Sequence, residues 1–213
     1  MFHSCQLRHQ QQPQSIQETK KQKEVRLLFQ WYNEFMKNVL NTERLKLRKL
    51  QESDLEDIFE WARDPEVTRY VTWNPHESIE VTRTVLDLWL REYDDPDCYR
   101  YGIELKETGK LIGMIDVVGY REGVPETGYI LNRRYWNRGY MSEALGAFRD
   151  HLLENFDELF IRAACDNHAS NAVIRKNGFE FIGTEMTVKN GEPVMINKYR
   201  YLKQGGTAHE EGN

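Results

Sequence analysis

The sequence predicts a mixed α/β fold: a central, mostly antiparallel, twisted sheet flanked by helices. Three observations carry this expectation. Two helix-like segments precede three apolar, turn-linked stretches that read as an antiparallel meander. A helix then separates two strand-like runs, and such a crossover makes the pair it joins parallel. The chain closes on another helix and two strands around "KNGE", a hairpin signal. Where the meander meets the crossover a sheet can splay, and the resulting cleft is the place to expect a ligand.

The elements follow in order. Residues 1 to about 24, rich in Gln and Lys, carry too few apolar groups to fold alone. In "VRLLFQWYNEFMKNVL", Leu28, Trp31, Tyr32, Phe35 and Val39 repeat at helical spacing. Residues 1–41 therefore read as an extension, disordered and then an amphipathic helix. That helix packs on the domain or meets a partner or a membrane surface, and Met36 is an alternative start. The folded domain is expected over 42–203 and a flexible tail over 204–213. "RLKLRKL" (44–50) alternates as a half-buried strand should. Ser53 and Asp54 are placed to cap a helix carrying Leu55, Ile58, Phe59 and Trp61, and Ser78 to cap one through Val81, Val85, Leu88 and Leu90. A short helix is expected inside "DPEVTRYVTWNP". The strands "YRYGIEL", "LIGMIDVVGY" and "ETGYIL" follow, the first two joined by the turn "ETGK". Then come a helix from about 138 to 154, the strand "ELFIRAAC", a helix over about 168–177, and the final hairpin "FEFIGTEMTV"/"EPVMINKYRYL".

Composition bounds the function. The chain has 213 residues, 39% of them hydrophobic, enough for a substantial core. Its net charge of −5 argues against a nucleic-acid binder that works by neutralising phosphates. The distant cysteines Cys5, Cys98 and Cys165, and histidines such as His151 and His168, have no metal-ligand spacing, so no metal is expected. No run approaches the roughly 18 apolar residues of a membrane span. The expectation is a cytoplasmic protein, a monomer or homodimer, without direct nucleic-acid or membrane contact.

The most informative stretch is "RRYWNRGYMSEAL", residues 133–145. A helix start leaves backbone N–H groups unpaired and carries partial positive charge. After a tight turn, the amides of 137–142 can converge on an anion. Gly139 permits close approach, the Ser142 hydroxyl adds a donor, and Arg133, Arg134 and Arg138 raise the local potential. An ordinary loop entering a helix explains the same residues. Downstream, "DNHASNAVIRKNGFEFIG" joins Asn167–Ser170 to a helix that Gly178 can terminate.

These segments carry a resemblance. "YWNRGYMSEAL" resembles the acetyl-CoA loop of the GNAT N-acetyltransferase superfamily, and "NHASNAVIRKNGF" is similar to its second cofactor segment. "TERLKLRKLQESDLEDIFEWARDPEVTRY" looks like the N-terminal third of the ribosomal-protein N-terminal acetyltransferases, the RimJ/RimL-like subgroup. The resemblance spans about 42–203. Its loop departs from the family pattern at three positions. Trp136 stands where Arg or Gln is usual, Asn137 replaces a Gly, and Met141 replaces a small residue, where a bulky side chain would crowd the diphosphate unless it pointed away. Asn tolerates the left-handed backbone that a Gly would supply.

The resemblance implies a sheet splayed between its fourth and fifth strands and acetyl-CoA as co-substrate, held by Ile130, Leu131, Trp136, Asn137, Arg138, Gly139, Tyr140, Met141, Ser142, Asn167 and Ser170. It implies direct transfer of the acetyl group to a primary amine. The oxyanion donor would be a backbone N–H of Ile130 or Leu131, and Asn167 would bond the pantetheine arm. Glu126 is the candidate base, acting through water; it also reads as an ordinary strand carboxylate. The family's usual tyrosine acid falls at Ile174, so Ser170 is the candidate acid, with helix capping or cofactor binding as its alternative roles. Trp73 and His76 either line an acceptor pocket or pack a loop, and Cys165 reads as core. Asp116, inside an apolar strand, either faces the cleft or points to solvent. An α-amine titrates near 7.7–8 and a lysine near 10.4, so a lysine acceptor needs roughly 3–4 kcal/mol more to become neutral. The lack of an emphatic base cluster therefore favours an α-amine. Three readings compete: acetylation of a protein N-terminus, a ribosomal protein being the subgroup's habit; acetylation of a small amine; and a non-catalytic acyl-CoA-binding module.

Overall fold

The computed structural model describes residue 23 and residues 39–95, 97–189 and 191–205. The extension and start-site expectations for residues up to 38 lie outside the described residues, as does the tail from 206. Val39 belongs to no helix, and Leu40–Asn41 form a short strand, β1.

An eight-stranded sheet follows. Its strands are β1, β2 (Leu45–Arg48), β3 (Arg100–Leu105), β4 (Leu111–Arg121), β5 (Val124–Leu131), β6 (Glu158–Ala164), β7 (Glu180–Lys189) and β8 (Glu192–Leu202). They lie in the order β1-β2-β3-β4-β5-β6-β8-β7. Neighbours are antiparallel except β5 and β6, the pair joined by a helix. The expected class is thus found, with five helices among residues 39–205: α1 (Leu55–Ala62), α2 (Pro65–Thr68), α3 (Ile79–Glu92), α4 (Tyr140–Leu152) and α5 (His168–Lys176).

Helices cover both faces of the sheet, which is why β4 begins as an unbroken buried run instead of an alternating one. One cluster joins Leu45, Leu47, Ile112, Ile115, Leu159 and Ile161 to the α4 stripe Met141, Ala144, Leu145, Phe148 and Leu152. The other joins Leu111, Met114 and Ile130 to Leu55, Ile58 and Trp61 of α1 and Leu86 of α3. Each large side chain so buried contributes about 1.5–3 kcal/mol. Asp54 does not cap α1 with its side chain. Its carboxylate takes the buried Arg48 guanidinium at 2.8 Å from both terminal nitrogens, because an unpaired charge there would be far more costly than an uncapped turn. Ser78 likewise makes no side-chain cap bond. Gly178, at φ +80°, ends α5, with the Phe179 N–H donating back to the Ile174 carbonyl.

The ligand site depends on one feature of this sheet. β5 and β6 pair only at Glu126–Phe160 and Thr127–Ile161, whereas β6 keeps pairing with β8 to Ala164. Beyond Thr127 the two strands diverge, and Gly128–Leu131 pair with β4 alone. Counted from β2, the split lies between the fourth and fifth strands.

Candidate active site

The loop from β5 to α4 is built by local bonds. Asn132, buried, accepts the Arg134 N–H at 3.0 Å and starts a 3-10 turn over Arg133–Tyr135. Trp136 spends its backbone N–H on the Arg133 carbonyl and its indole N–H on the Leu131 carbonyl, at 2.8 Å. Trp136 therefore braces the loop and is not among its free amides. Asn137 then adopts φ +59° and Gly139 φ +78°, on either side of Arg138. Such alternation of backbone hand turns successive N–H groups into one concavity. Among the described residues, the amides of Asn137, Arg138, Gly139, Tyr140, Met141 and Ser142 donate to no protein atom. Six free donors at the start of a 13-residue helix suit a diphosphate.

The side chains sharpen this picture. Met141 is 5% exposed and points into the core, away from the amides, so its bulk does not crowd them. The Ser142 hydroxyl accepts from the Asn177 side chain at 3.2 Å. Arg133 and Arg134 pair with Asp64 and Glu60, which leaves Arg138, stacked over Tyr135, without a carboxylate partner among the described residues. Sequence reasoning missed Arg44. It reaches the loop from the start of β2, donating to the Arg138 carbonyl at 2.9 Å and to Glu143 at 2.7 Å. Burial disfavours the Glu143 charge, but the bonds from Thr42 and Arg44 outweigh it and hold the carboxyl below its ordinary range.

At the split, the two candidate oxyanion donors separate. The Asn132 N–H donates to the Ile112 carbonyl, so by strand alternation Ile130 belongs to the β4 ladder while Leu131 faces the other way. The Leu131 carbonyl indeed turns to Trp136, and its N–H opens on the gap. Ile130 is a core residue under α1. Across the gap, Asn167 uses its side-chain oxygen to cap α5, accepting the Ser170 N–H at 3.1 Å, so only its amide nitrogen is left for a ligand. The Ser170 hydroxyl lies 2.8 Å from the Tyr129 hydroxyl, which burial keeps far above its ordinary pKa. Tyr129 was also missed, although it sits two residues before Leu131 and so shares its face. Ile174 is fully buried and no substitute acid stands in its place.

Glu126 lies on the opposite face of β5, 7% exposed, with both oxygens occupied. Arg121 donates to one at 3.0 Å and Arg162 to the other at 2.6 Å, and both arginines also reach Glu185. The candidate base is thus bound by two guanidinium groups, with no carboxylate oxygen left unpaired. Asp116 faces neither cleft nor solvent. It is 6% exposed and bonded to Arg100, which also pairs with Glu92 of α3. The His76 ring bonds Thr82 at 2.9 Å and packs on Trp73, and burial lowers its pKa, so it is a neutral packing group. Cys165, half-buried, donates to Asn197.

Asp116 yields a pH prediction. Burial outweighs the pull of Arg100 and pushes the carboxyl up to about 6, above its unfolded value near 3.9. The native state then holds more protons between these limits, so the contribution of Asp116 to stability falls as pH rises from about 4 to 6. Asp116→Asn removes that loss. Urea unfolding is expected to find the variant more stable at pH 7, by on the order of 2 kcal/mol, with the gap closing near pH 4. A gap that widens on acidification contradicts this.

Comparison with known proteins agrees with the geometry. The Acetyltransferase (GNAT) domain family matches residues 44–180. An uncharacterised N-acetyltransferase of Bacillus subtilis, YoaA, is 31% identical over 171 residues, covering 78% of this chain and 97% of its own. A GNAT-family acetyltransferase from Bacillus anthracis superposes with a TM-score of 0.69 at 23% identity, over 78% of this chain and 99% of the other. The RimL ribosomal L7/L12 alpha-N-protein acetyltransferase, solved with coenzyme A, gives a TM-score of 0.69 at 22% identity, over 79% and 99%. With free amides at the head of α4, a sheet split beside them and a domain match over most of its length, the chain belongs to the GNAT family and is an acetyl-CoA-dependent N-acetyltransferase.

Proposed function

We propose that the enzyme acetylates the N-terminal α-amine of a protein, a ribosomal protein being the acceptor of its RimL neighbour. The observation that carries this is the double arginine clamp on Glu126. The carboxylate best placed on the strand leading to the gap has both oxygens taken by guanidinium groups, and His76 is buried away. An acceptor that is already partly neutral at pH 7 suits such a site, and an α-amine, unlike a lysine, is. In this reading the amides of 137–142 hold the diphosphate, with Arg138 and Tyr140 beside them. The Leu131 N–H faces the oxygen that becomes negative, Ser170 gives a proton to the departing sulfur, and the amine's proton leaves to water. Glu126 anchors Arg121 and Arg162 along the acceptor side.

Thiol release from acetyl-CoA tests the proposal over a panel: peptides with free N-termini, the same peptides blocked at the N-terminus with one free lysine, spermidine and glucosamine. Free N-termini should be acetylated at least about tenfold faster than the blocked peptides, matching the smaller cost of deprotonation. Turnover of spermidine or glucosamine above every peptide would assign a small-amine acceptor instead. Binding of acetyl-CoA without turnover of any amine would leave a non-catalytic module.

A further inference from the structure

We infer that Arg44 is a positioning residue that locks the Arg138–Gly139 peptide plane, so that the Gly139 N–H faces the diphosphate. The inference rests on the acetyl-CoA reading of the loop and adds to it the group that keeps the loop in its binding form.

In a planar trans peptide the carbonyl oxygen and the next residue's N–H point in opposite directions, and the described chain has no cis bond. Whatever fixes the Arg138 carbonyl therefore fixes the Gly139 amide on the other side. Arg44 Nη1 donates to that carbonyl at 2.9 Å. The free amides line the concave side of the loop, so the clamp acts from its back and competes with no anion. It is needed because Gly139, at φ +78°, tolerates either hand of backbone. A flip of this one plane would change only the torsions flanking it. It would replace an N–H donor by a carbonyl oxygen in the concavity and turn attraction of an anion into repulsion.

The guanidinium is itself held on three sides. Its Nε and Nη2 grip Glu143 at 2.7 Å, and its plane lies over the Tyr140 ring at 4.3 Å. Glu143 is fixed in turn by the Arg44 N–H at 2.8 Å and the Thr42 hydroxyl at 2.5 Å. The carboxylate has a cost of its own. In the first turn of a helix it would repel a bound diphosphate, and Arg44 cancels that charge. One side chain thus orients the amide and neutralises the competing anion. Lysine has a single donor head in place of a planar fork and cannot do both.

The test compares wild type, Arg44→Gln and Arg44→Lys with two donors, acetyl-CoA and S-acetyl-pantetheine, which lacks the diphosphate. The acceptor is the panel peptide with the fastest turnover. By calorimetry, Arg44→Gln should bind acetyl-CoA about 10- to 100-fold more weakly, the loss expected for one or two charge-assisted hydrogen bonds. KM for acetyl-CoA should rise in step, with kcat and the peptide KM held within about twofold. Arg44→Lys should stay impaired by at least about fivefold, since charge alone does not reproduce the fork. With S-acetyl-pantetheine, kcat/KM should not fall in either variant. Undiminished acetyl-CoA binding by Arg44→Gln, full recovery in Arg44→Lys, or an equal loss with both donors each overturns the inference while the acetyltransferase reading stands. A wild type that fails to bind acetyl-CoA overturns both.

Discussion

Gly139→Val is expected to weaken acetyl-CoA binding at least about 100-fold in a calorimetric titration, the effect of losing two or more charge-assisted donors. A Cβ at this position would meet nothing closer than an Arg44 nitrogen at 3.5 Å, so crowding is not the cause. The cause is the backbone. Gly139 sits at φ +78°, a region that a β-branched residue enters only under strain. The chain then either carries that strain, at about 1–3 kcal/mol, or relaxes and misdirects the amides of Gly139 and its neighbours. Relaxation is easier in an exposed loop, so binding suffers more than stability. Gly139→Asn is the internal control. Asparagine tolerates left-handed geometry, and this loop already holds Asn137 at φ +59°. Gly139→Asn should therefore keep affinity within about tenfold of wild type, a difference of at most 1.4 kcal/mol. If valine binds as tightly as glycine, the amides are not the diphosphate site.

What the sequence revealed here was local. The left-handed Asn137 followed from its residue type. The direction of Met141 stayed open in the sequence, although Met141, Ala144, Leu145, Phe148 and Leu152 form one apolar stripe and a residue on that stripe turns to the core. The crossover fixed the parallel pair and hence the position of the split. What stayed hidden depends on pairing between distant strands. The Arg44 partner Glu143 lies 99 residues away, and nothing near either residue signals the other. Glu126 read as an ordinary strand carboxylate because Arg162, 36 residues away on β6, meets it only through the β5–β6 register, although Arg121 of the adjoining hairpin lies just five residues before it. Asp116 was undecidable for the same reason: solvent, cleft and buried ion pair are equivalent until α3 is laid over β4 with Arg100 beside it. Side chains whose role is set by their own turn could be read, and those set by a partner strand could not.

Ser170→Ala and Tyr129→Phe are expected to lower kcat by about 10²-fold each while leaving the affinity for acetyl-CoA within about threefold. The family's acid position holds Ile174, which is sealed in the core, so in the proposed mechanism the proton for the departing sulfur comes from another side chain of the same helix. Ser170 is at the start of α5, facing the gap where β5 and β6 part, and its hydroxyl is 2.8 Å from that of Tyr129. The two oxygens share hydrogens in either sense. If Tyr129 donates to Ser170, the serine proton is free to turn toward the gap. If Tyr129 instead donates to the Ser170 carbonyl, at 3.3 Å, the serine proton is held back. Burial keeps the phenol protonated at any working pH, so Tyr129 acts by orienting the serine hydroxyl and adds no basic limb to the kcat profile. Groups that act as one unit give non-additive losses. The double variant should therefore be no worse than the poorer single one, within about threefold. Multiplied losses would mean two independent roles. A Ser170→Ala enzyme with wild-type kcat would reduce Ser170 to a helix-capping contact and leave the thiolate to collect its proton from water.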